Sequence, residues 1–134
     1  MENVYKFSMT ALGGIIGYLW GGWNALLGIL LAFVIIDYIT GFIAAGAEGK
    51  LSSDVGFKGI LKKILIFVLV AVAHLLDEAL GGNNDIFRDA VIFFYLANEL
   101  LSIIENAGRA GLPIPDVLKN AVEILKGKGE ENNG

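Results

Sequence analysis

The sequence predicts an all-α polytopic membrane protein with three to four transmembrane helices and a short C-terminal cytoplasmic helix. Three observations predict it. The 134 residues are 55% apolar with a mean hydropathy of +0.65, more hydrophobic than soluble domains of this size tend to be. Apolar stretches long enough to cross a bilayer recur between short turns rich in glycine and asparagine. The segment from Arg88 to Arg109 is also of spanning length, yet it gathers its polar residues into one stripe.

The first span, predicted over residues 5–22, is short and rich in glycine. Gly13, Gly17 and Gly21 recur at every fourth position, giving two overlapping G-x-x-x-G units, the pattern of close helix contact and self-association. A re-entrant hairpin fits the same segment. No A-x-A-like site interrupts the apolar run, so no removable signal peptide is expected. G-G-W-N at 21–24 is the turn, and Trp20 and Trp23 suit the headgroup belt.

The second span covers 25–47, where Asp37 and Thr40 are the clearly polar side chains. An acid alone in apolar sequence is a functional candidate. It serves either as a proton site or as the anchor of a hydrogen bond to a neighbouring helix. Gly41, Ala44 and Ala45 lie on or near its face and allow a second helix to come close.

Residues 48–63 read as a polar connector, loosened by Gly56 and Gly59, with lysines gathered at its end. The third span is predicted over 60–80. Lys63, Val70, His74 and Asp77 fall on one face within roughly 60°. His74 is one turn from Asp77 and Glu78, which puts an imidazolium–carboxylate pair within reach. The face reads either as a partner surface for the striped helix or as an interfacial histidine near the membrane surface.

After the turn G-G-N-N-D at 81–85 comes the striped span, 88–109. At ~100° per residue, Arg88, Tyr95, Asn98, Glu99, Ser102, Glu105, Asn106 and Arg109 share roughly a third of the circumference, with Val91 as the one apolar residue among them. Lipid suits the opposite side, where Phe93, Phe94, Leu100 and Ile104 lie, but not the stripe. The stripe reads as the wall of a water-filled pore, or as the interior face of a packed bundle with Glu99 and Glu105 paired to lysine or arginine. An uncompensated carboxylate at the bilayer centre would cost about 2.5–3.5 kcal/mol. G-L-P-I-P-D then breaks the helix; Asp116 is expected to cap a short helix through Leu125, followed by a mobile polar tail. This gives a membrane domain over 1–110 and a cytoplasmic helix and tail over 111–134.

Lys50, Lys58, Lys62 and Lys63 crowd one loop, and Arg109, Lys119, Lys126 and Lys128 the C-terminal segment, whereas the turn at 81–85 is flanked by acids. The positive-inside rule places the lysine loop and the C-terminus in the cytoplasm. There is no cysteine, and one histidine rules out a multi-histidine metal site within one chain. A pI near 4.9 and a net charge of −4 argue against nucleic acid as a partner. No P-loop, G-x-S-x-G or H-E-x-x-H is present. No catalytic, cofactor-binding or metal site is expected; the expected partners are membrane lipid and further copies of the chain.

I-D-Y-I-T-G-F-I-A-A-G at 36–46 resembles the D-x-x-T-G core of the toxin secretion/phage lysis holin family. S-S-D-V-G-F-K-G-I-L-K-K at 52–63 is similar to its connector, and F-Y-L-A-N-E-L-L-S-I-I-E-N-A at 94–107 with G-L-P-I-P-D-V-L at 111–118 resembles its C-terminal signature. The resemblance implies a protein of the bacterial cytoplasmic membrane that oligomerises and opens lesions, releasing an endolysin or a toxin without binding it specifically. Two other readings of the residues remain. One is a narrow proton channel or proton-coupled transporter built on Asp37, His74, Asp77 and Glu99. The other is a non-conducting scaffold of a larger membrane complex.

Overall fold

A computed structural model gives the structure of residues 1–82, 84–121, 123 and 124. It is all-α, with no strand among the described residues. The helices are α1 (Glu2–Trp20), α2 (Ala25–Ala47), α3 (Ser53–Ala79) and α4 (Ile86–Arg109), with a further short helical stretch from residue 116.

The turns follow local chemistry. Gly21 ends α1 in the left-handed region, φ 77°, and its N–H donates to the Gly17 carbonyl at 2.9 Å. Asn24 caps α2, its side-chain oxygen accepting from the Leu27 N–H at 2.9 Å. Ser52 caps α3 through the Val55 N–H, and Asp54 lies in the first turn.

That cap corrects the expected boundary of the third helix. The helix begins at Ser53 rather than near 60, so most of the predicted connector is helical. Gly56 and Gly59 do not loosen it. They leave room for Tyr38 of α2: a Cβ on Gly56 would stand 3.3 Å from the tyrosine hydroxyl and one on Gly59 3.9 Å from its ring. A second correction concerns the C-terminal segment. The Pro115 carbonyl accepts from the Lys119 N–H at 3.1 Å, so Pro115 holds the cap position and Asp116 is the first helical residue. The predicted helix end at Leu125 and the tail lie outside the described residues.

α4 packs against both α2 and α3, and α1 leans on α3. Leu27, Leu30 and Val34 of α2, Ile66 and Val70 of α3, and Ile92 of α4 form the core, with Trp20, Phe67 and Tyr95 packed against it. α4 runs parallel to α2: Ile92 lies with Leu27 and Leu30 near their starts, and Arg109 meets Glu48 at their ends. α3 runs in the opposite direction and packs mainly on α4.

α2 and α3 are long and apolar enough to cross a membrane, and only 22% and 28% of their apolar windows are buried. Where the sequence predicts three to four crossings, these two helices meet the measure of length and composition. Ile35, Ile39, Phe42, Leu65 and Val72 point outward. Large apolar side chains left exposed along whole helices are what a lipid environment accommodates and water does not.

Gly21 is constrained twice. Its φ is positive, and an added Cβ would lie 2.8 Å from Cε1 of His74. Gly21→Ala is expected to destabilise the detergent-purified protein by about 1–3 kcal/mol, read as a lowered thermal midpoint by circular dichroism. Gly13→Ala, inside α1 where a Cβ meets open space, should not lower the midpoint and is expected to raise it slightly.

Candidate functional site

Two polar clusters sit inside the bundle. The first lies halfway along α2 and α4. Asp37 of α2 faces Lys63 of α3, Oδ2 to Nζ at 2.6 Å, and the same ammonium reaches Glu99 of α4 at 3.0 and 3.3 Å. Asp37 and Glu99 are 8% and 5% exposed. Asn106 sits two turns beyond Glu99. Its amide nitrogen donates to Asp37 Oδ1 at 2.8 Å, to the Asp37 carbonyl at 3.1 Å and to the Thr40 hydroxyl at 3.0 Å. Thr40 in turn donates to the Asp37 carbonyl at 3.1 Å.

Arg109 continues the chain outward, donating to Asn106 Oδ1 at 3.3 Å and to Glu48 Oε1 at 2.6 and 2.8 Å. An unbroken run of polar contacts thus leads from Glu48 at the end of α2 to Glu99 halfway along α4. Gly41 makes it possible: a Cβ there would lie 3.5 Å from the Asn106 amide nitrogen. Ala44, fully buried, keeps the same face narrow.

The second cluster closes the opposite end. Asp77 of α3 accepts from the backbone N–H groups of Phe87 at 3.0 Å and Arg88 at 2.9 Å. These are free donors of the first turn of α4, and Asp85 at the cap position makes no side-chain cap bond. One helix therefore caps the next. The Arg88 guanidinium reaches back to the Trp20 carbonyl at 3.0 Å and pairs with Asp85 and Asp89 at 3.3 and 3.2 Å. Trp20 Nε1 donates to the Phe67 carbonyl at 2.9 Å. The expected His74–Asp77 pair is not formed, because the Asp77 carboxylate is occupied by α4. His74 is buried, and its Nδ1 has no hydrogen-bond partner among the described residues.

The stripe of α4 is divided lengthwise. Its inner edge, Arg88, Glu99 and Asn106, is buried together with Ile92. Tyr95 and Ser102 are half-buried. On the outer edge Asn98 is exposed and Glu105 half-buried, beside exposed Phe94. Arg109 is exposed at the end, held by Glu48. Of the other predicted positions, Lys63, His74 and Asp77 all turn inward, along with Val70: Lys63 meets α2 and α4, Asp77 meets α4, and His74 packs against Gly21 at the end of α1. Gly41 and Ala45 line the groove where α4 seats. Gly13 and Gly17 meet open space, so this part of the α1 glycine face is unoccupied among the described residues, while Gly21 packs against His74. Asp77 as a cap for another helix, and the Glu48–Arg109 clasp, escape sequence reasoning because neither spacing is local.

The model of the bacteriophage holin family matches residues 14–127. The chain belongs to the bacteriophage holin family. With two helices fit to cross a bilayer, this holin-family chain is a membrane protein. It is 52% identical to an uncharacterized protein of Listeria monocytogenes, covering 98% of this chain and 94% of that one. An uncharacterized protein of Halalkalibacterium halodurans is 50% identical, covering 95% and 97%. An uncharacterized 14.9 kDa protein from the nagH 3' region of Clostridium perfringens is 39% identical, covering 96% and 99%. No solved structure matches.

Lys63 is the single cation between two buried carboxylates. Lys63→Met is expected to cost about 3–5 kcal/mol, because it strands both acids. Adding Asp37→Asn and Glu99→Gln should recover most of that loss. A mutant cycle on unfolding in detergent measures both effects.

Proposed function

We propose that this chain acts as a holin: copies accumulate in the bacterial cytoplasmic membrane, associate, and open lesions that let an endolysin or a toxin pass without specific binding. The observation that carries the reading is the divided stripe of α4. Its inner edge is matched by α2 and α3, while its outer edge presents Asn98, with Ser102 and Glu105 beside it, on a surface that is otherwise apolar. An amide such as that of Asn98 facing lipid is costly, so this edge seeks water or another protein surface. Association of several copies supplies both.

In the closed monomer, Lys63 holds Glu99 and Asn106 holds Asp37. As copies gather through small-residue faces, the open Gly13–Gly17 side of α1 among them, the striped helices turn toward a shared lumen. Arg88, Tyr95, Asn98, Glu99, Ser102, Glu105, Asn106 and Arg109 then line it, with the two arginines near its rims. Many buried polar groups becoming hydrated together makes opening cooperative. In this arrangement α1 and α4 join α2 and α3 across the bilayer, and the lysine-rich end with the C-terminal segment faces the cytoplasm. Residues 1–110 form the membrane domain, and the rest is a cytoplasmic appendage.

The buried Asp37–Lys63–Glu99 trio also favours a second reading, a narrow proton path. The two readings differ in what crosses the membrane. Asn98→Leu combined with Glu105→Leu keeps the inner contacts and makes the outer edge apolar. The double variant is expected to insert normally and to lower release of a cytoplasmic enzyme by about tenfold or more, measured with a membrane-potential dye in the same induced cells. Unchanged enzyme release would remove the stripe from the mechanism. Dye collapse by the parent chain with no enzyme release would favour the proton path.

A further inference from the structure

Two cavities outside the inner clusters share a wall. The first, about 510 Å³, opens at the lysine-rich end between α2, α3 and α4. Lys50, Lys62 and Arg109 line it, beside the apolar side chains of Tyr38, Phe42 and Leu51. The second, about 360 Å³, is a groove between α2 and α3 lined by Leu31, Ile35, Ile39, Ile60, Ile64 and Phe67. Tyr38 and Lys63 line both, so the two are neighbours on either side of these side chains.

The charges in this cavity are unequal in their commitments. Lys63 is engaged by Asp37 and Glu99, and Arg109 by Glu48. Lys50 and Lys62 have no ion pair among the described residues. A cavity with two unmatched ammonium groups at its wall asks for an anion. An apolar groove beside it, running along two helices fit to span a membrane, asks for a hydrocarbon chain. One class of molecule has both parts joined.

We propose that this pair of cavities is a binding site for an anionic glycerophospholipid. The phosphodiester sits between Lys50 and Lys62, with Arg109 nearby, and one acyl chain runs along the groove past Tyr38 toward Phe67. Basic pockets between membrane helices at the cytoplasmic side take anionic headgroups on this principle. Lys62 reaches the headgroup with its stem lying on apolar surface. The bound lipid touches α2, α3 and α4 together, so it favours the arrangement in which all three are in contact.

The inference rests on the membrane reading of the chain but not on the opening of a lesion. The test is native mass spectrometry of the full chain, released from non-ionic detergent after mixing with equal amounts of dioleoyl phosphatidylglycerol and dioleoyl phosphatidylcholine. The phosphatidylglycerol adduct is expected to dominate, and Lys50→Gln with Lys62→Gln to reduce that preference about tenfold. Lys6→Gln with Lys58→Gln, the same change of charge outside the cavities, should keep it. Ile35→Trp, which fills the groove and leaves every charge in place, should also weaken retention. Preference surviving in the Lys50/Lys62 variant, or lost equally in the Lys6/Lys58 control, overturns the site. Competition by glycerophosphoglycerol as strong as by the intact lipid would show a soluble anion site and overturn it too. Enzyme leakage without lipid preference overturns this inference alone; lipid preference without leakage leaves it standing.

Discussion

One ammonium between two carboxylates sets the terms for the rest of this bundle. Lys63 comes from α3, Asp37 from α2 and Glu99 from α4, so a single point contact joins three helices. With both acids ionised the trio carries one net negative charge, a poor fit to an apolar interior unless further donors help. Asn106 supplies them to Asp37, and Arg109 then ties Asn106 to Glu48. The contacts are interdependent. Turning α4 by one residue, ~100°, would take Glu99, Asn106 and Arg109 away from their partners at once. Apolar packing around Leu30, Val70 and Ile92 tolerates small slips, but this polar run does not. It fixes the rotation of α4 on α2 and α3.

The opposite end uses a different device for the same purpose. Asp77 satisfies the first N–H groups of α4, and Arg88 satisfies the last carbonyl of α1. Helix termini are the places where backbone groups lack partners, and both are closed here by side chains of other helices. α1 buries no residue. Its attachment rests on Trp20, on the Arg88 contact and on the close fit of Gly21 against His74. The Gly13–Gly17 side of α1 is left open by this mode of docking, as the proposed association of copies requires.

Much of this was legible in the sequence, and the rest was hidden for physical reasons. The helical class, the turns at 21–24 and 81–85 and the amphiphilic α4 follow from periodicity and glycine placement, which are local signals. Lys63, His74 and Asp77 share one face of α3 by spacing alone, because one helix fixes its own angles. Their partners do not read. That Asp77 caps a backbone rather than pairing with His74 depends on how α4 docks, and that Lys63 meets Asp37 as well as Glu99 depends on the α2–α3 hairpin. The misplaced start of α3 has a different cause. Glycine at 56 and 59 lowers helix propensity, and only the approach of Tyr38 explains why the helix accepts it.

The cap on α4 bears on how such a chain enters its membrane. Taken alone, the Ile86–Arg109 segment would bring Glu99 and Asn106 into hydrocarbon with nothing to meet them, and a translocon would release it reluctantly. The partners that other helices supply belong to segments made earlier: Trp20, Asp37, Lys63 and Asp77 all precede it. Synthesis from the amino terminus therefore lays down the acceptors and the cation before the segment that requires them emerges. On the proposed reading, in which α4 crosses the bilayer, its insertion is a docking event on a waiting template, timed by the order of translation.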